Sequence, residues 1–152
     1  MLKLLRTAGV LLAFIFAAAP FAALSDDNHA VLHTAKGDFP FNIEVVDTDA
    51  GREKGLMFRQ SLAPDAGMLF DFQTEQQVAF WMQNTLIPLD MVFIAADGVV
   101  KTVHVNAQPM DTTTIPSQVP VRFVLEIPGG RSVEIGLKPG DRFEQQRVQK
   151  AP

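Results

Sequence analysis

Phe80-Trp81-Met82-Gln83-Asn84-Thr85-Leu86-Ile87-Pro88-Leu89-Asp90-Met91-Val92-Phe93-Ile94 is the stretch on which the reading of the chain turns. It holds the sole tryptophan, two methionines and an aspartate set inside an apolar run. Val78 to Thr85 reads as a strand, whose alternation puts Phe80, Met82 and Asn84 on one face and Trp81, Gln83 and Thr85 on the other. Leu89 to Ala95 is apolar on both faces, as in a strand covered on both sides. Leu86-Ile87-Pro88 joins the two. Such a corner gathers Trp81, Asn84, Thr85 and Asp90, and a site is expected there.

Outward from the corner the strand pattern continues. Asp97-Gly98 is a hairpin turn signal leading into Val99 to Val105. Asn106 to Pro120 carries three prolines and is too long and irregular for a passive connection, a feature of functional loops. Val121 to Ile127 reads as a central strand ended by Pro128-Gly129-Gly130, and Arg131 to Leu137 as a short helix or strand. Gly136 to Asp141 is a glycine-pinned structural turn into a last strand ending near Val148.

Upstream, Met68 to Phe72 is a buried strand followed by a polar loop, Gln73 to Gln77. Asp47 to Ser61 is the one clear helical segment, capped by Thr48 or Asp49. Ala30 to Thr34 and Phe39 to Val46 form a hairpin with Phe39, Phe41, Ile43 and Val45 on its dry side. Pro40 cannot donate to a ladder and belongs near a strand start or on an edge. About eight strands with one or two short helices predict a mainly β fold, a compact β-sandwich or squashed barrel.

Residues 1–25 stand apart. Lys3 and Arg6 give a basic start, Thr7 to Ala19 is almost wholly apolar, and Ala23-Leu24-Ser25 precedes Asp26 as a small-residue cleavage site. The apolar run is short of the roughly 20 residues a membrane span needs, so a cleaved signal peptide is the reading and an uncleaved anchor the alternative. Residues 26–152 then form a single β domain with a short polar C-terminal tail, periplasmic or secreted. Its charge, eleven basic against seventeen acidic residues, is −6. That acidity excludes nucleic acid and anionic membrane surfaces as partners. With no cysteine there is no disulfide framework, thiol nucleophile or lipid-anchored cysteine.

Four ordered motifs carry a family resemblance: Gly55-Leu56-Met57-Phe58-Arg59, Gly67-Met68-Leu69-Phe70, Phe80 to Asp90 and Val124-Leu125-Glu126. Over about residues 30 to 148 the chain resembles the bacterial and archaeal family catalogued as domain of unknown function 192. The resemblance implies a compact, mostly β domain, often exported, and carries no established activity. Family members commonly have Lys where this chain has Gln83, so no role needing a positive charge there transfers.

Asp90 and Glu126 are the carboxylates of interest, since each lies among apolar strand neighbours, where a charge is costly unless paired and where shifted pKa values arise. Arg122 and Glu126 share a strand face about 13 Å apart and cannot pair. Arg59, Arg122 or Lys54 would serve these acids from a neighbouring element. Otherwise Asp90 caps backbone amides of the Leu86-Ile87-Pro88 corner. Trp81 with Gln83, Asn84 and Thr85 reads either as a platform that stacks a ring and bonds its rim, or as core. His29, His33 and His104 with five methionines raise a metal reading. Extended chain puts His29 and His33 about 13 Å apart, and methionines in apolar runs fill gaps. No metal and no cofactor are expected. No Gly-x-Ser-x-Gly elbow or phosphate-binding glycine loop occurs.

Two functions follow. The first is a non-catalytic envelope module binding a small molecule, glycan or protein segment through Trp81, Gln83, Asn84, Thr85, Asp90, Arg59 and Glu126. The second is an envelope hydrolase or lyase using Asp90 or Glu126 as general acid or base, oriented by Arg59. On export, N-terminal sequencing of the mature protein is expected to begin at Asp26. Residues 1–20 found intact on membrane-held protein would refute that reading.

Overall fold

The computed structural model describes residues 27–148, so the expected signal segment and the last tail residues lie outside it. Nine strands and two short helices are present among the described residues: β1 (His29–Thr34), β2 (Gly37–Val46), α1 (Asp49–Lys54), β3 (Ala66–Gln76), β4 (Ala79–Phe80), β5 (Leu89–Ile94), β6 (Val100–Ala107), β7 (Ile115–Pro116), β8 (Val121–Pro128), α2 (Arg131–Glu134) and β9 (Arg142–Glu144). Seven strands make one sheet in the order β6-β5-β8-β3-β2-β1-β9, and β4 pairs with β7 in a small second sheet. The large sheet curls into a half-barrel. Its ends approach where Val99 bridges Arg142 and the Phe143 amide bonds the Gly98 carbonyl at 2.8 Å. Gly98 is required there, because it has φ 83° and any Cβ would lie 2.5 Å from the Phe143 carbonyl oxygen.

The hairpin of β1 and β2 forms as expected, with Phe41 and Ile43 buried on one face and Asn42 and Glu44 exposed on the other. Pro40 sits where β2 has only one neighbour, since pairing with β3 begins at Asn42. The β2–β3 pair is parallel, and α1 lies in the crossover. This helix is far shorter than Asp47 to Ser61. Thr48 caps it, accepting from the Gly51 amide at 3.2 Å, and Gly55 ends it at φ 46° with its amide on the Gly51 carbonyl. Beyond Gly55 the apolar Leu56 packs inward, and Phe58 takes φ 63°, a left-handed conformation through which no α-helix continues.

The largest correction falls on Val78 to Thr85. Only Ala79 and Phe80 are strand; Trp81 to Pro88 is loop. No sheet edge receives this segment. The Met82 amide bonds the Asp111 carbonyl instead, the Thr85 amide turns back to Met82, and Asn84 takes φ 55°. Asparagine tolerates that left-handed turn better than most residues. The 106–120 segment does flank the corner, as its Met110 amide bonds the Thr85 carbonyl at 3.1 Å. Elsewhere β3 runs on through Gln73, which bulges at φ 66°, the last strand stops at Glu144, and Lys138 and Asp141 close their turn as expected.

Alternation on the central strands builds two cores. Val92, Ile94, Leu125, Ile127, Leu69, Phe41 and Leu32 fill the cluster to which strands β1, β2, β3, β5 and β8 all contribute. Met91, Phe93, Val124, Met68 and Phe70 point the other way, covered by Leu56 and Met82 from the loops and by Ile115 of β7. β5 is thus buried on both faces, as its composition requires. None of the described helices is long and apolar enough to cross a membrane.

Asp90 is fully buried on the first of these faces. Its Oδ1 accepts the Asn106 amide at 2.7 Å and the Gly130 amide at 2.8 Å, and its Oδ2 accepts the Ser132 amide at 2.7 Å and hydroxyl at 2.5 Å. The capping expected at Leu86-Ile87-Pro88 is made instead to Asn106 of β6 and to the Gly130–Ser132 start of α2. Replacing Asp90 with Ala orphans several buried donors at about 1–3 kcal/mol each. Urea unfolding is expected to show a loss of at least about 3 kcal/mol.

Candidate functional site

The site grows from the second face. Glu126 on β8 lies opposite Met91 of β5 and Met68 of β3, so its side chain emerges into the methionine- and phenylalanine-rich cluster. Only 4 % of it is exposed, and no hydrogen bond to its carboxyl group exists among the described residues. That small exposure opens into a cleft of about 180 Å³ lined by Phe70, Phe80, Trp81, Thr85 and Arg52. Phe80 anchors the wall, edge-on to Phe70 at 5.0 Å and to Phe93 at 6.2 Å between ring centroids. Trp81 follows it into the loop and stands 52 % exposed at the mouth. It stands at the rim of a cleft and is not core.

Burial without a partner pushes Glu126 up to about 8, so its carboxyl group is mostly neutral at pH 7. Asp71 is the informative contrast. It is equally buried, and burial alone would raise it, yet Arg122 at 3.0 Å and the Gln73 amide at 2.8 Å hold it below the usual carboxylate range. Arg147 adds a further contact to Asp71 and ties Asp27 and Asp47 into the same cluster. Arg122 is therefore occupied, and Glu126 is left alone.

The residues expected to form one site are divided. Trp81, Thr85 and Glu126 meet in the cleft. Gln83 and Asn84 line an open groove beside Trp81, about 340 Å³ in volume, which shares with the cleft that ring, Met57 and the α1 residues Glu53 and Lys54. Thr85 is buried while Trp81 and Gln83 are exposed, so these three do not form the single face expected of a strand. Arg59 forms a forked ion pair with Glu44 through both of its terminal nitrogens and orients neither acid. Asp90 lies on the opposite face of the sheet from Glu126, since Asp90 pairs with Ile127 and Met91 with Glu126. The two acids cannot act as a pair.

Arg52 was not legible as a site residue. It reaches the cleft from α1, held by Asp49 at 2.5 Å and by the Asp71 carbonyl at 2.8 Å, with its guanidinium over Phe72. Only its i,i+3 spacing from Asp49 hinted at a fixed orientation. His33 bonds Asp38 and Glu144 at 2.8 and 3.1 Å, and no group of His, Asp and Glu among the described residues is arranged to hold a metal ion.

The sequence matches the family DUF192, described as "Uncharacterized ACR", over residues 31–145. The chain belongs to the DUF192 family. Two crystal structures are similar to this DUF192 domain. One, from Sinorhizobium meliloti 1021 and provisionally named a transcription regulator, is 44 % identical with a TM-score of 0.77, over 79 % of this chain and 94 % of that one. The other, a Novosphingobium aromaticivorans protein of unknown function, is 40 % identical with a TM-score of 0.75, over 76 % and 83 % of the two chains. No curated protein matches the sequence.

The isolated acid has a measurable consequence. A carboxyl group raised from 4.5 to about 8 favours the folded state fully below pH 4.5, and that contribution is lost as pH rises to 8. His33, raised chiefly by its bond to Asp38, acts in the same direction at higher pH. Urea unfolding of the DUF192 domain against Glu126→Gln isolates the acid. The native protein is expected to lose a few kcal/mol relative to the variant between pH 5 and pH 9, since each pH unit between the folded and unfolded pKa is worth about 1.4 kcal/mol. Parallel stability curves would show that Glu126 is not isolated.

Proposed function

We propose that this DUF192 protein is an exported, non-catalytic module of the cell envelope that binds a small molecule, glycan or protein segment in the cleft beside Trp81. The observation that carries the reading is the half-exposed indole standing over a buried, unbonded acid. Exposed aromatic rings beside a few convergent polar groups are the usual make-up of ligand sites. Export rests on the basic, then apolar, then small-residue order of residues 1–25. The acidity of the remainder argues against a nucleic-acid role like that suggested by the name of the Sinorhizobium protein.

The absence of catalysis is read from the separation of the two acids. Asp90 is saturated with donors, and Glu126 has no second carboxylate beside it. A hydrolase or lyase is the second reading, favoured by Glu126 itself, whose raised pKa suits a general acid at neutral pH.

A thermal-shift screen of the purified protein against glycans, peptidoglycan fragments and peptides tests the proposal. A ligand at about a hundred times its Kd adds about 2.7 kcal/mol, which raises the Tm by roughly 10 °C in a domain near this size. Trp81→Ala is expected to abolish the shift, and a bound ligand is expected to perturb the fluorescence of the single tryptophan. A shift that survives Trp81→Ala would move the site elsewhere. Turnover of a bound glycan or peptide, lost in Glu126→Gln, would establish the enzyme instead.

A further inference from the structure

The cleft defines its ligand more narrowly than an aromatic platform alone would. Its volume, about 180 Å³, is below the roughly 300 Å³ at which small-molecule pockets begin. It therefore accepts a side-chain-sized group, with any larger body left outside against Trp81. Phe70, Phe72, Phe80 and Trp81 supply ring faces and edges, and Glu126 is the polar group at the end of the apolar walls.

The charged groups lining the cleft besides Glu126 all come from α1. Arg52 is paired with Asp49, and the sequence neighbours Glu53 and Lys54 carry opposite charges at the solvent-exposed edge with no ion pair between them. β3, β5 and the 79–85 segment bring no charge to the cleft, so Glu126 is the one buried acid that lines it. A nearly buried carboxyl without a donor is costly in either form, as a lone anion through desolvation and as an acid with an unused O–H. A cation carrying N–H donors relieves that cost, and aromatic walls favour the same charge.

We infer that the cleft takes an alkylammonium group, either a small free amine or the lysine side chain of a protein segment, with its ammonium on Glu126 and its methylenes against Phe80 and Trp81. This rests on the cleft being a binding site. Binding transfers a proton: the neutral Glu126 carboxyl releases H⁺ to solvent, and the ammonium pairs with the carboxylate that remains. With Glu126 near 8, affinity for an amine that stays charged is expected to rise about tenfold per pH unit from pH 6 to 7.5 and level off above 8.

The test is a titration of the purified protein followed by Trp81 fluorescence, with n-butylamine, 1-butanol, and a blocked peptide carrying one lysine or norleucine in its place. The expected result is that butylamine or the lysyl peptide binds, 1-butanol and the norleucyl peptide bind at least tenfold more weakly, and Glu126→Gln flattens the pH profile. Tighter binding of the peptide than of butylamine assigns the cleft to a protein segment; comparable binding assigns it to a free amine. Equal binding of 1-butanol, or amine affinity independent of pH, overturns the inference. Should Glu126→Gln fail to fold, the native pH profile and the two neutral isosteres decide. A neutral glycan that perturbs Trp81 while amines do not sinks this inference and leaves the proposed function standing. If no ligand in either experiment perturbs Trp81, both fall.

Discussion

Four hydrogen bonds to the buried carboxyl group of Asp90 fasten the end of β6 and the turn after β8 to β5, adding to the strand pairing that brings them together. Asn106 is the next-to-last residue of β6, Gly130 caps α2, and Ser132 lies in α2. The neighbouring backbone is as tight. The Gly129 amide bonds the Pro88 carbonyl at 2.9 Å, and a Cβ on Gly129 would sit 2.8 Å from Pro88 and from the Asn106 side chain. The end of β6 and the turn from β8 into α2 are thereby locked around one carboxyl group. Because its oxygens are satisfied by three amides and a hydroxyl, it tolerates complete burial.

The placement of Glu126 follows from that lock. Pairing of β5 with β8 is set beside Asp90, and side chains alternate across the sheet, so the acid opposite Met91 must emerge on the other face. There it meets sulfur and rings instead of donors. Gly67 brings β3 close against the same strand, where a Cβ would lie 2.7 Å from the Glu126 carbonyl oxygen. The main chain at Glu126 is thus tightly held while its carboxyl group is left without a partner.

Asp71 and Glu126 show that the partners within reach of an acid decide whether burial raises its pKa. Both are almost fully enclosed. Asp71 sits where Arg122 and Arg147 converge from distant parts of the chain, tying its cluster to Asp27 and Asp47 near the start of the domain. Glu126 has the aromatic wall of the cleft instead. Structural need accounts for the first acid; the second borders the cleft.

Short-range pattern carried much of the fold into the sequence. The alternation of Phe39 to Val45, the apolar run from Leu89 to Ala95 with Asp90 set in it, and the Asp97-Gly98 turn each reflect a backbone constraint between near neighbours, and each is found. The motifs around Gly55, Gly67 and Phe80 likewise carried the family. Trp81 to Thr85 misled because alternating burial arises equally in a strand and in a loop laid over a core. What separates the two is whether another strand offers its edge, and here Asp111 and Met110 bond the segment instead. Nor did the residues announce that Asp90 and Glu126 would face apart, that Arg59 would be taken by Glu44, or that Arg52 would reach the cleft. Those outcomes depend on strand order and register, which join residues tens of positions apart, and only the folded sheet decides them.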